Sequence, residues 1–134
     1  MNDSARVLIR FYPEKEGLEK FFGQLEAEIM ETIWANGPMT VKRALFFLGK
    51  KKKYAYTTVM TVMNRLAEKE FLMREKKGHS FQYSAVMEKK KFLTHVTGEI
   101  ISSLMRDFQP VTTKAFYSAK KTTARKTKPK KEAN

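Results

Sequence analysis

Residues 54–86 read YAYTTVMTVMNRLAEKEFLMREKKGHSFQYSAV, and two periodicities meet inside them. Between Tyr56 and Lys69, the side chains Val59, Val62, Met63 and Leu66 recur at the three- and four-residue spacing that lays an apolar stripe along one side of an α-helix. The many Thr and Val residues lower intrinsic helix propensity, so this helix has to be held by packing. Beyond it the period shortens to two. Two short alternating runs flank Lys77 and Gly78, where glycine supplies the positive φ that a tight hairpin needs. The stretch therefore predicts a helix followed directly by a two-stranded β-hairpin.

Two further helices are predicted upstream. Residues 18–34, LEKFFGQLEAEIMETIW, place Leu25, Ile29, Ile33 and Trp34 on one helical face, and Asn36, Gly37 and Pro38 stop it. Thr40 is a suitable N-cap for a short second helix in which Val41, Ala44, Leu45 and Leu48 share a face, with Gly49 at its end. Three helices and a hairpin in this order make a winged helix-turn-helix. Downstream, Phe92, Val96, Ile100, Leu104 and Phe108 align along a last helix from about 87 to 108, flanked by Leu93, Ile101 and Met105; so wide an apolar face needs a partner. The expected fold is thus mainly α with a small β-hairpin wing, a winged helix-turn-helix plus a C-terminal dimerisation helix. Its divisions are an N-terminal arm at 1–17, the winged-helix domain at 18–86, the dimerisation helix at 87–109 and a basic tail at 110–134. Few branched apolar residues follow Tyr117, which predicts disorder from about Ala119.

Charge narrows the partners. The 134 residues carry 27 Lys and Arg against 14 Asp and Glu, a formal net charge of +13, which favours polyanions such as nucleic acid or an anionic membrane. Eight basic residues and one acidic residue fall after position 111, so about half of the excess sits in the tail. No apolar run approaches the roughly 20 residues that span a bilayer, and MNDSARVLIRF lacks the apolar core of a secretory signal, so a cytoplasmic protein without membrane insertion is expected.

The absence of cysteine excludes disulfides, thiolate catalysis and Cys-based metal sites. His79 and His95 stand in no metal-binding pattern, and no phosphate-cradling glycine loop, nucleophile elbow or catalytic carboxylate pair is present. Neither an enzyme nor a cofactor is implied.

With Val59, Val62, Met63 and Leu66 turned inward, about 100° per residue points Thr57, Thr61 and Asn64 outward, with Thr58, Met60 and Arg65 at the flanks. Short hydroxyl- and methyl-bearing side chains suit the base edges and thymine methyls of a major groove, and arginine suits guanine or phosphate. Lys50, Lys51, Lys52 and Lys53 precede this helix, while Lys76, Lys77 and His79 lie at the hairpin tip, so phosphates can be met on both sides. A solvated Thr-rich face and a solvated lysine loop are the plainer alternatives. Threonine at exposed helix positions, however, sacrifices several tenths of a kcal/mol per residue, which a binding role would explain.

The strings LEAEIMETIW, the turn at Gly37 and Pro38, YAYTTVMTVMNRLAEKEFL and REKKGHSFQYS together resemble the penicillinase-repressor family, the BlaI/MecI/CopY group of bacterial transcriptional regulators, over roughly residues 12–108. That resemblance implies a winged-helix repressor that dimerises through its C-terminal helices on an inverted-repeat operator. It matches Thr57, Thr58, Met60 and Thr61 to the family's base-reading segment, Lys76, Lys77 and His79 to its wing, and Arg65 to a family arginine. In β-lactam-responsive members a membrane-bound sensor protease cuts an Asn-Phe bond, whose counterpart here is Asp107-Phe108. Copper-responsive members use a C-terminal cysteine cluster, which this chain lacks. Two other readings stay open on the sequence: a sequence-indifferent architectural DNA protein dominated by its basic tail, and an adaptor whose winged helix binds another protein.

Overall fold

The stripe of Val59, Val62, Met63 and Leu66 is buried along its whole length, and the helix that carries it packs against the two helices before it and the strand after it. The computed structural model describes residues 10–126, with side chains to residue 123. A 3-10 turn at Gly17–Lys20 precedes α1 (Gln24–Asn36), α2 (Val41–Leu48), α3 (Tyr56–Glu68), strands β1 (Leu72–Lys77) and β2 (Ser80–Ala85), and α4 (Lys89–Lys126). One compact unit ends at Lys91 and a second begins at Phe92.

In the first unit, α1 contributes Ala27, Ile29, Met30 and Ile33 to the core, and α2 contributes Val41, Ala44 and Leu48. Burying each of the Val, Leu, Ile and Met side chains stabilises the fold by about 1.5–3 kcal/mol, which outweighs the weak helix propensity of the threonines in α3. Thr40 caps α2, its Oγ1 accepting from the Arg43 N–H at 3.2 Å. At the far end of α3, the Phe71 N–H reaches the Leu66 carbonyl at 2.9 Å and the Glu70 N–H reaches Ala67 at 3.0 Å. This pair of bonds closes the helix as a Schellman cap with Glu70 in the left-handed region, φ 66°.

The strands are antiparallel with Leu72 opposite Ala85, Arg74 opposite Tyr83 and Lys77 opposite Ser80, which leaves Gly78 and His79 as a two-residue loop. Gly78 takes the positive φ, 65°. A third backbone segment joins this wing: Met39 and Tyr83 exchange N–H···O bonds of 3.0 and 2.8 Å. Trp34 braces the exit from β2, its Nε1 donating to the Met87 carbonyl at 2.9 Å.

The structure departs from the sequence expectation at both ends. Residues 18–34 are not one helix, because the chain breaks at Gly23, where an extended backbone (ψ 166°) lets the glycine N–H donate to Glu26 Oε1 at 2.9 Å and start α1. The predicted arm also joins the domain from Arg10 onward. The Tyr12 N–H donates to the Lys20 carbonyl at 2.7 Å, and Phe11 stacks on Phe21 with centroids 5.9 Å apart. Residues 1–9 of that arm lie outside the described residues.

In the second unit, α4 bends at Phe108 (φ −137°, ψ 51°), where the expected last helix was to end, but the helical backbone then continues to Lys126. The disorder expected from Ala119 is therefore replaced by helix as far as Lys126; positions 127–134 lie outside the described residues. Pro110 stands just after the bend, at the start of the second segment, where no intrahelical N–H is required. The Thr112 hydroxyl donates to the Leu104 carbonyl at 3.3 Å, a side-chain bond that spans the bend. Ala115, Ala119, Lys114, Lys120 and Lys121 are strong helix formers, which favours propagation beyond the proline.

Along the predicted dimerisation stripe, Phe92 and Val96 are buried in the single chain and Ile100 is half-buried, whereas Leu104 and Phe108 are exposed together with Ile101. Among the described residues no helix is long and apolar enough to cross a membrane.

Candidate nucleic-acid interface

Once its apolar stripe is buried, α3 presents Thr57, Thr58, Thr61 and Arg65 to solvent, with Met60 and Asn64 half-buried beside them. No acidic residue occupies its first turn, and Ala55 at the N-cap provides no side-chain acceptor. The leading N–H groups of α3 therefore add partial positive charge to a face that carries no formal charge until Arg65.

Cations stand on both sides in sequence. Lys50, Lys51, Lys52 and Lys53 are all exposed in the segment between α2 and α3. Its last anchor is Tyr54, whose hydroxyl donates to Glu28 Oε1 on α1 at 2.9 Å. Burial, and then the bond to Glu28 and the charge of that carboxylate, raise the Tyr54 hydroxyl above the usual tyrosine range. Lys52 sits over the Tyr54 ring, 5.4 Å from its centroid. On the hairpin, Lys76, Lys77 and His79 are exposed at the tip.

Asn64 has a second engagement that sequence reasoning missed. Its Oδ1 accepts from the Tyr83 hydroxyl at 2.6 Å and from Arg74 Nη1 at 2.9 Å, so this atom is committed to the wing. Arg74 in turn lies over the Phe81 ring, 4.4 Å from the centroid. The signal was present in the strand alternation: a loop of Gly78 and His79 sets Arg74 directly opposite Tyr83, on one face of the hairpin. Arg43, Phe46 and Phe47 on α2 were also not singled out as site residues.

Among the described residues, no group of three His, Cys, Asp or Glu is placed to hold a metal ion. His79 is exposed and His95 half-buried. A helix with an uncharged outer face, flanked by lysines and tied to a β wing, defines a winged-helix domain of the DNA-binding type.

Comparison with known proteins gives the family. Residues 22–128 match the family model described as Penicillinase repressor, and the chain belongs to that family, one of transcriptional regulators rather than enzymes. The transcriptional regulator BlaI of Mycobacterium tuberculosis is 33% identical over 86 residues, covering 63% of this chain and 56% of the relative. An uncharacterized 16.5 kDa protein in the ptsI 3' region of Latilactobacillus sakei is 28% identical over 79 residues, covering 59% and 54%. The matches thus span about half the length of these relatives.

Two solved structures are also similar. The solution structure of the DNA-binding domain of the repressor BlaI is 25% identical with a TM-score of 0.47, covering 51% of this chain and 83% of that one. That of the monomeric form of Bacillus licheniformis BlaI in complex with the blaP half-operator is 25% identical with a TM-score of 0.45, covering 52% and 84%.

Proposed function

We propose that this chain is a sequence-specific DNA-binding repressor that acts in the cytoplasm as a homodimer on an inverted-repeat operator. The observation that carries the reading is the exposed, uncharged face of Thr57, Thr58 and Thr61 on α3, preceded by the lysines at 50–53 and followed by those of the wing. Threonine methyls and hydroxyls fit base edges, and the lysines fit phosphates, which position the helix without reading sequence. Asn64 serves the wing through Oδ1, while Met60 and Arg65 flank the reading face.

Pairing is assigned to the apolar stripe of α4. Ile101, Leu104 and Phe108 are 41%, 44% and 59% exposed in the single chain, a continuous apolar surface that a second copy would cover. Phe92 and Val96 lie on the same stripe but are already buried within the single chain, so the surface left to a partner starts at the half-buried Ile100. A dimer duplicates the reading head about a two-fold axis, so half-sites should lie one or more helical turns apart. A membrane sensor protease is the partner that the family implies, with Asp107-Phe108 as its candidate bond.

Selecting bound fragments from genomic DNA tests this function. Recovery of one inverted repeat supports it. Fragments sharing no motif would indicate an architectural protein governed by its basic tail, and no duplex binding at physiological salt would indicate an adaptor. With about 6 to 10 phosphate contacts per dimer, affinity should fall by about 10³ to 10⁵ between 50 and 200 mM salt.

A further inference from the structure

The outer side of α2 gathers two cations on one pair of rings. The Arg43 guanidinium carbon lies 5.1 Å from the centroid of Phe46 and 4.9 Å from that of Phe47. Lys50 Nζ lies 5.3 and 5.8 Å from the same two centroids. The rings meet edge to face, 5.6 Å apart at 72°. Phe46 is 56% exposed, while Val41, Ala44 and Leu48 form the buried side of the helix.

Burial does not account for an exposed phenylalanine at this position, and the ion pairs found among the described residues include neither Arg43 nor Lys50. Both cations are drawn to the negative faces of the rings. A guanidinium resting on aromatic rings still has N–H groups to offer an anion and has less conformational freedom left to lose on binding. Two like charges over the same rings repel each other, and an anion shared between them relieves that repulsion.

We propose that Arg43 and Lys50, seated on Phe46 and Phe47, form a clamp for a backbone phosphate of the duplex. The proposal rests on the DNA-binding reading above and adds a defined phosphate site to it, with Phe46 as a positioning residue. In the chain, Lys50 leads directly into Lys51, Lys52 and Lys53, the exposed lysine segment that precedes α3.

Fluorescence anisotropy of the full chain on a random-sequence duplex, repeated over a series of salt concentrations, tests the clamp without knowledge of the operator. Arg43→Gln should weaken binding and lower the steepness of log K against log salt by about one per bound head. Phe46→Ala keeps both charges, so it should leave that steepness unchanged yet weaken binding about 2- to 5-fold, and Phe46→Tyr should restore the affinity. Wild-type affinity and salt steepness in Arg43→Gln would overturn the clamp alone, as would wild-type affinity in Phe46→Ala or failure of Phe46→Tyr to rescue. If the wild-type chain bound no duplex, the DNA-binding reading itself would fall and the clamp with it.

Discussion

The Tyr83 hydroxyl donates a 2.6 Å hydrogen bond to Oδ1 of Asn64, joining the second strand of the wing to α3. Tyr83 is only 2% exposed, and Met39 pairs with its backbone, so the wing cannot pivot freely about α3. Tyr83→Phe removes one hydrogen bond and should cost about 1 kcal/mol, whereas Asn64→Ala strands the buried hydroxyl and should cost about 1–3 kcal/mol. Urea midpoints of the two single variants and the double variant check this; strictly additive losses would show that the pair is not coupled.

Thr57→Ala combined with Thr61→Ala replaces two exposed threonines by the best helix former. Fold stability should stay level or rise by a few tenths of a kcal/mol, while affinity for the selected operator falls about tenfold and affinity for random duplex holds. Parallel gel-shift titrations on the two duplexes decide it, and equal losses on both would remove the threonines from the reading face.

Glu70 carries a positive φ that glycine adopts without penalty. Glu70→Gly should therefore stabilise the first unit by about 0.5–1 kcal/mol, the left-handed strain outweighing the added entropy of the unfolded chain. Thermal unfolding is the measurement, with a lowered midpoint as the contrary result.

Phe108 is 59% exposed and its backbone leaves the helical region, whereas Phe116 and Tyr117, comparably exposed, lie within the helical segment beyond the bend. A protease needs extended backbone, so brief chymotrypsin digestion should cut after Phe108 before it cuts at Phe116 or Tyr117. Mass spectrometry of the first fragments reads the order.

Alkali should act on Tyr54. Its raised pKa means that the folded state favours the neutral hydroxyl bonded to Glu28. The stability this contributes is fully present below the unfolded tyrosine pKa of about 10 and is lost as pH rises through the folded value. A spectroscopic titration of tyrosinate should show a late component that Tyr54→Phe diminishes, and the variant should lose less stability at high pH than the wild type.

Much of the fold was legible because its signals are local. The stripe on α3, Thr40 as a cap and Gly78 in the hairpin loop each follow from neighbouring residues, and the structure places all three accordingly. The pairing of Met39 with Tyr83 was not legible, since it joins backbone groups 44 positions apart and leaves no side-chain periodicity. The helix beyond Phe108 was not legible either, since few branched apolar residues follow Tyr117 to mark it, and the bend at Phe108 makes Pro110 the beginning of a new segment. At the candidate interface, the outward direction of Thr57 and Thr61 came from helical geometry alone. The capture of Asn64 by Tyr83 and Arg74 depended on how the wing docks, which no periodicity within α3 encodes.

The chain contains a single tryptophan, and Trp34 spends its indole N–H on the carbonyl of Met87 where the chain leaves the wing. The molecule thus has a built-in optical reporter at the junction of its first helix and the strand exit. Any event that frees this junction should shift the indole emission to the red, so loosening of the wing can be followed on the unlabelled protein.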